Sequence, residues 1–267
     1  MQATYRNKNI NEYWHDRWDQ IPIDSVMKNE NIYPLKYANM TIQSQQGRIL
    51  ELGCGPGRLL RYYKNRGYNI VGVDFVEAII DRLKKTDPEL QVEAGNAQRL
   101  HFNDKSFRYV LAFGIYHNLL EDSLKHAIQE TFRILEPGGK VCASFRADNF
   151  QKKIMDRLSK KQTTHQHENN TIKIFHKLNL TRPECITLFK EAGFEVENIF
   201  PVENMSFLYK FSCFRSKSQK LFDEHIAREE GYTLSFLGQT IQKFLMKLFP
   251  NTFCNVYVLI AKKKEIS

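Results

Sequence analysis

Long hydrophobic runs are missing from this 267-residue chain, whose longest apolar stretch is the eight residues Tyr109–Tyr116. A membrane-crossing helix needs roughly twenty, so no transmembrane segment is predicted. The opening MQATYRNKNI lacks the continuous apolar stretch of a secretory signal. Cysteine is sparse too: Cys54, Cys142, Cys185, Cys213 and Cys254 are odd in number and widely scattered. That argues against a disulfide framework and for reduced thiols in the cytoplasm. Thirteen Gly and eight Pro are too few for a collagenous or low-complexity protein. No block of five or more like charges occurs, so the net +9 carries no strong nucleic-acid signal and is expected to be a solvated surface.

What the chain does contain is 42% hydrophobic and 12% aromatic residues, enough for a packed core. The charge is uneven: residues 151–267 hold 19 Lys and Arg against 12 Asp and Glu, a net of +7. Short β-branched runs alternate with helix-like stretches, the pattern of an α/β domain with a mostly parallel sheet. Strands are expected at Arg48–Leu52, Ile70–Asp74, Leu90–Ala94, Arg108–Phe113, Gly139–Phe145, Glu195–Phe200 and Asn255–Lys262. Between them, Arg58–Arg66, Val76–Thr86, Asp122–Leu135 and Pro183–Ala192 carry apolar residues at helical spacing. Seven strands with these helices fit one doubly wound, Rossmann-like sheet.

Three stretches fall outside that pattern. Residues 9–20 read as an N-terminal helix with Trp14 and Trp18 on one face. Residues 158–170 are polar and are expected to form a mobile loop. Residues 203–252 are far longer than an ordinary connection. Their stripe Leu237, Ile241, Phe244, Leu245 and Leu248 is expected to pack on its own domain, a membrane-surface or partner helix being the alternative. The expected division is an N-terminal cap over 1–47, an α/β core over 48–202, a helical insertion over 203–252 and a last core strand with its tail over 253–267.

The chemistry is concentrated in RILELGCGPGR. A strand ends at Glu51–Leu52, Gly53, Gly55 and Gly57 form a tight turn, and a helix begins near Arg58. Glycines let the backbone bend sharply and are expected to set free N–H groups against a ligand. Asp74 closes the second strand, where a carboxylate accepts from both hydroxyls of a ribose. Dinucleotides and S-adenosyl-L-methionine both suit a glycine turn followed by an acid. The spacing here is Gly-x-Gly-x-Gly, not the Gly-x-Gly-x-x-Gly of the dinucleotide fingerprint.

From Arg48 to Ala147 the sequence resembles the class I S-adenosylmethionine-dependent methyltransferases, specifically their broad type 11 group. ELGCGPGR, GVD, GNAQRLHFNDKSF, YVLAFGIYHNL and ILEPGGKV occur in the family's order. The resemblance implies that Gly53, Cys54 and Gly55 run beside the methionine part of the cofactor, with Glu51 in its hydrogen-bond network and Gly57 completing the turn. It implies that Asp74 holds the ribose, Phe75 packs on the adenine, Asn96 and Ala97 read the adenine edge, and Phe113 and Gly114 lie near the cofactor's amino group. Asn96 stands where the family commonly has Asp, and an amide oxygen still accepts that hydrogen bond. Arg108 departs from an Asp at a position that is usually structural. Phe75 also suits ordinary core, Cys54 is expected to be small packing and no nucleophile, and Glu136–Gly139 reads as a helix stop and turn.

The activity implied is methyl transfer to a small-molecule acceptor, on oxygen, nitrogen, sulfur or activated carbon, leaving S-adenosyl-L-homocysteine. The alternatives are an RNA or protein methyltransferase and a non-catalytic cofactor-binding module. An Asn-Pro-Pro-Tyr motif for base amino groups is absent. His117 is the candidate general base, with Tyr116 beside it, because YHNL follows the fourth strand; the competing reading is a histidine that packs or caps the next helix. His176 is a further possibility. No metal site is expected from the pair His165 and His167, or from Asp148–Asn149. Tyr13, Trp14 and Trp18 are expected to close over the cofactor as a lid, unless the two tryptophans are simply a packing stripe.

Overall fold

A computed structural model describes residues 1–6, 10–19, 21, 23, 26–27, 29–163, 174–203, 205, 207–217 and 233–265. Its centre is a seven-stranded sheet of β2 (Ile49–Leu52), β3 (Ile70–Asp74), β4 (Gln91–Ala94), β5 (Phe107–Ala112), β6 (Leu135–Arg146), β8 (Phe194–Pro201) and β9 (Val256–Lys263). The order is β4-β3-β2-β5-β6-β9-β8, parallel from β4 to β6, with β9 antiparallel to both neighbours. Every residue of β2 and β3 is buried, as expected of parallel strands covered on both faces. Chain direction across the sheet reverses between β2 and β5, which opens a crevice at their carboxyl ends.

The helices cover both faces. Helix α2 (Leu35–Thr41), α3 (Arg58–Lys64) and α4 (Glu77–Thr86) pack on one core, through Leu35, Leu60, Ile80 and Leu83. Helix α5 (Glu121–Ile134) and α7 (Arg182–Glu191) pack on the other. In α5 the buried residues Leu124, Ala127, Ile128, Thr131 and Ile134 follow the helical period. Thr181 and Glu184 close a capping box at the start of α7, and Gly193, at φ 95°, ends its final turn. All seven expected strands and all four core helices are present, within two residues at most ends and four at the start of β6.

Four features depart from expectation. The first is a two-stranded antiparallel ribbon of β1 (Gln2–Arg6) and β7 (Ile174–Asn179). Polar QATYR gives no strand signal by itself and is held by its partner. Second, residues 158–163 belong to α6 (Phe150–Thr163), not to a loop, while 164–170 lie outside the described residues. Third, Glu136–Gly139 is a bulge inside β6: pairing with β5 jumps from Phe107–Leu135 to Tyr109–Lys140, and Gly138 takes φ 76°. Finally, the stripe on α8 (Phe236–Leu248) is only partly packed. Ile241 and Leu245 lie against the core, but Leu237, Phe244 and Leu248 are exposed.

Candidate active site

At the carboxyl end of β2 the chain turns through Gly53, Gly55 and Gly57, with φ of 75°, 48° and 74°. Only glycine holds such left-handed values without strain. The turn does not present free N–H groups, contrary to the sequence expectation. Gly53 and Cys54 donate to the Val73 carbonyl at 2.7 and 3.0 Å, Gly57 donates to the Cys54 carbonyl, and Gly55 donates to Asp74 Oδ2 at 2.9 Å. Its contribution is shape: a backbone with no side chain in the crevice. Cys54 faces the other way, against Gly72, where an added Cβ would lie 2.9 Å from its sulfur. Burial, then Asp74 and Glu51, push that thiol well above its ordinary pKa, so it is no nucleophile.

Asp74 also accepts from the Val76 N–H at 3.1 Å. Burial raises its pKa, and the Val76, Gly55 and Phe75 backbone hydrogen bonds oppose that rise. The acid therefore locks the glycine turn as well as facing the crevice. Glu51 is buried below the turn with Oε2 unpartnered among the described residues. Desolvation is the main reason that its pKa is pushed up to about 8.

These ends open into a cavity of about 1250 Å³. Gly53, Asp74, Phe75, Asn96 and Ala97 line one side, and Phe113, Gly114 and His117 continue the wall from β5. Phe75 presents its ring to the opening. The amide oxygen of Asn96 accepts from the Gln98 N–H at 2.9 Å, which fixes the side chain's direction. Gly114 donates to Ser144 Oγ at 2.9 Å, and Tyr33 donates to the same oxygen at 2.8 Å. The far wall brings in Arg146, His176, Lys177, Glu203 and Gln242 from β6, β7, the end of β8 and α8.

The adjacent residues Tyr116 and His117 diverge. Both lie in a single 3-10 turn, Tyr116–Asn118. Tyr116 is 0% exposed, pairs with Thr131 Oγ1 at 2.6 Å and stacks on Phe145, so the structure removes it from the site. His117 is 8% exposed, lines the cavity and has no partner for Nδ1 among the described residues. Burial, then the charges of Arg146 and Lys177, hold its pKa well below the ordinary value, so the imidazole is neutral at neutral pH.

The N-terminal helix α1 (Ile10–Asp19) covers the crevice. Trp18 lies directly on the glycine turn: a Cβ at Gly55 would sit 2.8 Å from its six-membered ring. Trp14 stacks on Trp18 at 5.1 Å, and Tyr13 meets Trp14 and His176 edge-on at 5.1 and 5.8 Å. The tryptophans thus pack together and line the cavity. Trp18 Nε1 is buried without a partner among the described residues. The buried indole N–H and the buried imidazole nitrogen, both on residues that line the cavity, are groups that a polar ligand would satisfy. The glycine-floored turn, the acid and the exposed aromatic at the end of β3 fit an adenosyl cofactor.

Sequence reasoning missed Tyr33, Arg146 and Lys177, which have no local motif and reach the cavity only through the fold. His165 and His167 lie outside the described residues.

Residues 49–139 match the family model of the methyltransferase domain. A probable S-adenosylmethionine-dependent methyltransferase of Mycolicibacterium smegmatis is 26% identical over 154 residues, covering 58% of this chain and 54% of that protein. The chain thus spans about half the length of the curated relatives it matches. In fold, an S-adenosylmethionine-dependent methyltransferase of Methanosarcina mazei aligns over 88% of this chain and 99% of its own, with a TM-score of 0.59 at 16% identity. The Burkholderia thailandensis 1,6-didemethyltoxoflavin-N1-methyltransferase, solved with its substrate and S-adenosylhomocysteine, aligns over 96% of this chain and 84% of its own, with a TM-score of 0.53 at 14% identity. Strand order, the glycine turn with its acid and the matched residues converge: residues 49–139 are similar to a methyltransferase domain, and the sheet around them has the fold of S-adenosylmethionine-dependent methyltransferases.

Proposed function

We propose that the protein transfers the methyl group of S-adenosylmethionine to a small-molecule acceptor. The single observation that carries this reading is the cavity of about 1250 Å³ beneath α1, because ordinary ligand pockets occupy about 300–1,000 Å³. It has room for the donor on the Asp74 side and for an acceptor on the Arg146 side. A concave cavity partly roofed by the aromatic residues of α1 suits a compact acceptor. The Burkholderia neighbour, an N1-methyltransferase with bound 1,6-didemethyltoxoflavin, supports the same direction.

Bound S-adenosylmethionine supplies an electrophilic methyl on a sulfonium. Asp74 would hold the ribose with its remaining acceptor capacity, Phe75 would cover the adenine, and Asn96 with Ala97 would read its edge. Trp18 and Tyr13 would exclude water from the donor. His117, neutral and with Nδ1 unpartnered, is placed to take the proton from an acceptor O–H, N–H or S–H group as its heteroatom becomes nucleophilic. Burial, with the charges of Arg146 and Lys177 beside it, keeps that imidazole unprotonated until the acceptor arrives. The expected division into cap, core and insertion belongs to this reading: 1–47 and 203–252 would wall the acceptor end.

Two measurements test the proposal. S-adenosylhomocysteine should raise the melting temperature, while NAD and NADP leave it unchanged; a response to NAD alone would overturn the assignment. Donor labelled in its methyl group should then pass label to the low-molecular-weight fraction of a cell extract. Label recovered in RNA or protein instead would replace the small-molecule acceptor with a macromolecule.

A further inference from the structure

Helix α8 carries Leu237, Phe244 and Leu248 at spacings of seven and four residues, a single stripe along its length. They are 56%, 62% and 51% exposed, and Phe236 is 87% exposed. The core-facing side of the same helix is already supplied by Gly238, Met246, Ile241 and Leu245. The outer stripe is thus not surplus core. Soluble proteins rarely leave a contiguous apolar surface of this kind uncovered.

Its surroundings say what would cover it. Lys243 and Lys247 are exposed along one flank of the stripe, one turn apart. The described residues 205, 207–217 and 233–253, which include the two 3-10 turns beside α8, carry Lys210, Arg215, Lys217, Lys243 and Lys247 and no Asp or Glu. A second copy meeting this face in a symmetric dimer would set cations against cations. An anionic surface complements them, and lysine stems reach past an inserted apolar stripe to keep their ammonium groups among headgroups.

We propose that this face is a peripheral membrane-docking surface whose partner is the headgroup layer of an anionic bilayer. Leu237, Phe244 and Leu248 enter the acyl boundary, and Lys243 and Lys247 meet the lipid phosphates. The same helix lends Gln242 to the cavity wall, so docking sets the acceptor end of the cavity beside the lipid surface. The docking surface does not depend on the methyltransferase reading.

The test is sedimentation of the full-length protein with phosphatidylglycerol-rich vesicles and with pure phosphatidylcholine vesicles. Binding is expected to the first and not the second, and to weaken as salt is raised. K243Q/K247Q should lower partitioning roughly 30-fold, from about fivefold per lysine. L237Q/F244Q/L248Q should abolish binding while leaving circular dichroism and the S-adenosylhomocysteine thermal shift intact, because all three positions face solvent. Wild-type protein that stays in the supernatant with anionic vesicles overturns the proposal, as does binding that survives both variants. So does a concentration-dependent dimer, in lipid-free buffer, that the apolar variant abolishes, since that would make a second copy the partner.

Discussion

His117 owes its chemistry to where its side chain goes, not to its neighbours in sequence. The 3-10 turn sends Tyr116 into the core and His117 to the cavity, so adjacent residues chosen for one motif end with unrelated roles. H117A is expected to lower kcat by about 10²–10⁴-fold, the usual range for a general base. The S-adenosylhomocysteine affinity should be unchanged, and a variant with wild-type kcat would remove the residue from the mechanism. Because its folded pKa lies well below 6.5, the unfolded chain binds the extra proton first as the medium is acidified. This group's contribution to stability is therefore complete above about pH 6.5 and is lost as pH falls toward the folded value. Glu51 behaves oppositely: its folded pKa of about 8 exceeds the ordinary 4.5, so its contribution is complete below about pH 4.5 and is lost as pH rises through 8. E51Q mimics the protonated acid, so its melting temperature should fall less than that of the wild type between pH 6 and 9. Parallel curves would place an ionised carboxylate in the fold. D74A should abolish the S-adenosylhomocysteine thermal shift, because it removes the ribose acceptor and releases the Gly55 and Val76 N–H groups together. Asp74, which ends β3, and His117, which follows β5, both line the cavity and were expected at the crevice from their places in the strand pattern. Arg146 was not, since it is an ordinary surface residue type until β6 carries it to the cavity.

At the scale of elements, the glycine turn and the N-terminal helix form one mechanical unit. Sequence alone suggested that the turn holds its ligand through N–H donors, but Val73 and Asp74 of the parallel strand beside it take three of them and Cys54 within the turn takes the Gly57 donor. What remains is a groove just deep enough for Trp18. G55A should displace α1 and weaken the S-adenosylhomocysteine thermal shift, and adding W18A should recover part of the loss, because the two substitutions act on one contact. G67A is the control: Gly67 is also left-handed at φ 80°, but nothing lies within 4 Å of its missing Cβ, so it costs only the backbone strain of about 1–2 kcal/mol. Equal effects of G55A and G67A on ligand binding would deny the lid its contact with the turn. Strands and helices of the core were legible from their two periods, 2 and 3.6 residues. The β1–β7 ribbon was not, because QATYR carries little apolar pattern of its own and its partner strand lies 168 positions away in sequence, counted from Arg6 to Ile174.

For the whole molecule, ligand linkage gives a quantitative expectation. S-adenosylhomocysteine at a hundred times its Kd should stabilise the fold by about 2.7 kcal/mol, which corresponds to roughly 5–10 °C in Tm. A much smaller shift at demonstrated saturation would mean that the domain unfolds in parts, with the cofactor held by only one of them. The sequence by itself determined the α/β architecture, the glycine turn and the acid that ends β3, because each rests on local propensity and short-range spacing. Only the tertiary structure decided which of two adjacent side chains faces the cavity, where the turn's N–H groups are spent, how Arg146 and Lys177 reach His117, and which stripe of α8 stays uncovered. Those outcomes depend on contacts between segments far apart in the chain, and a one-dimensional pattern of residue types does not encode the direction in which each side chain finally points.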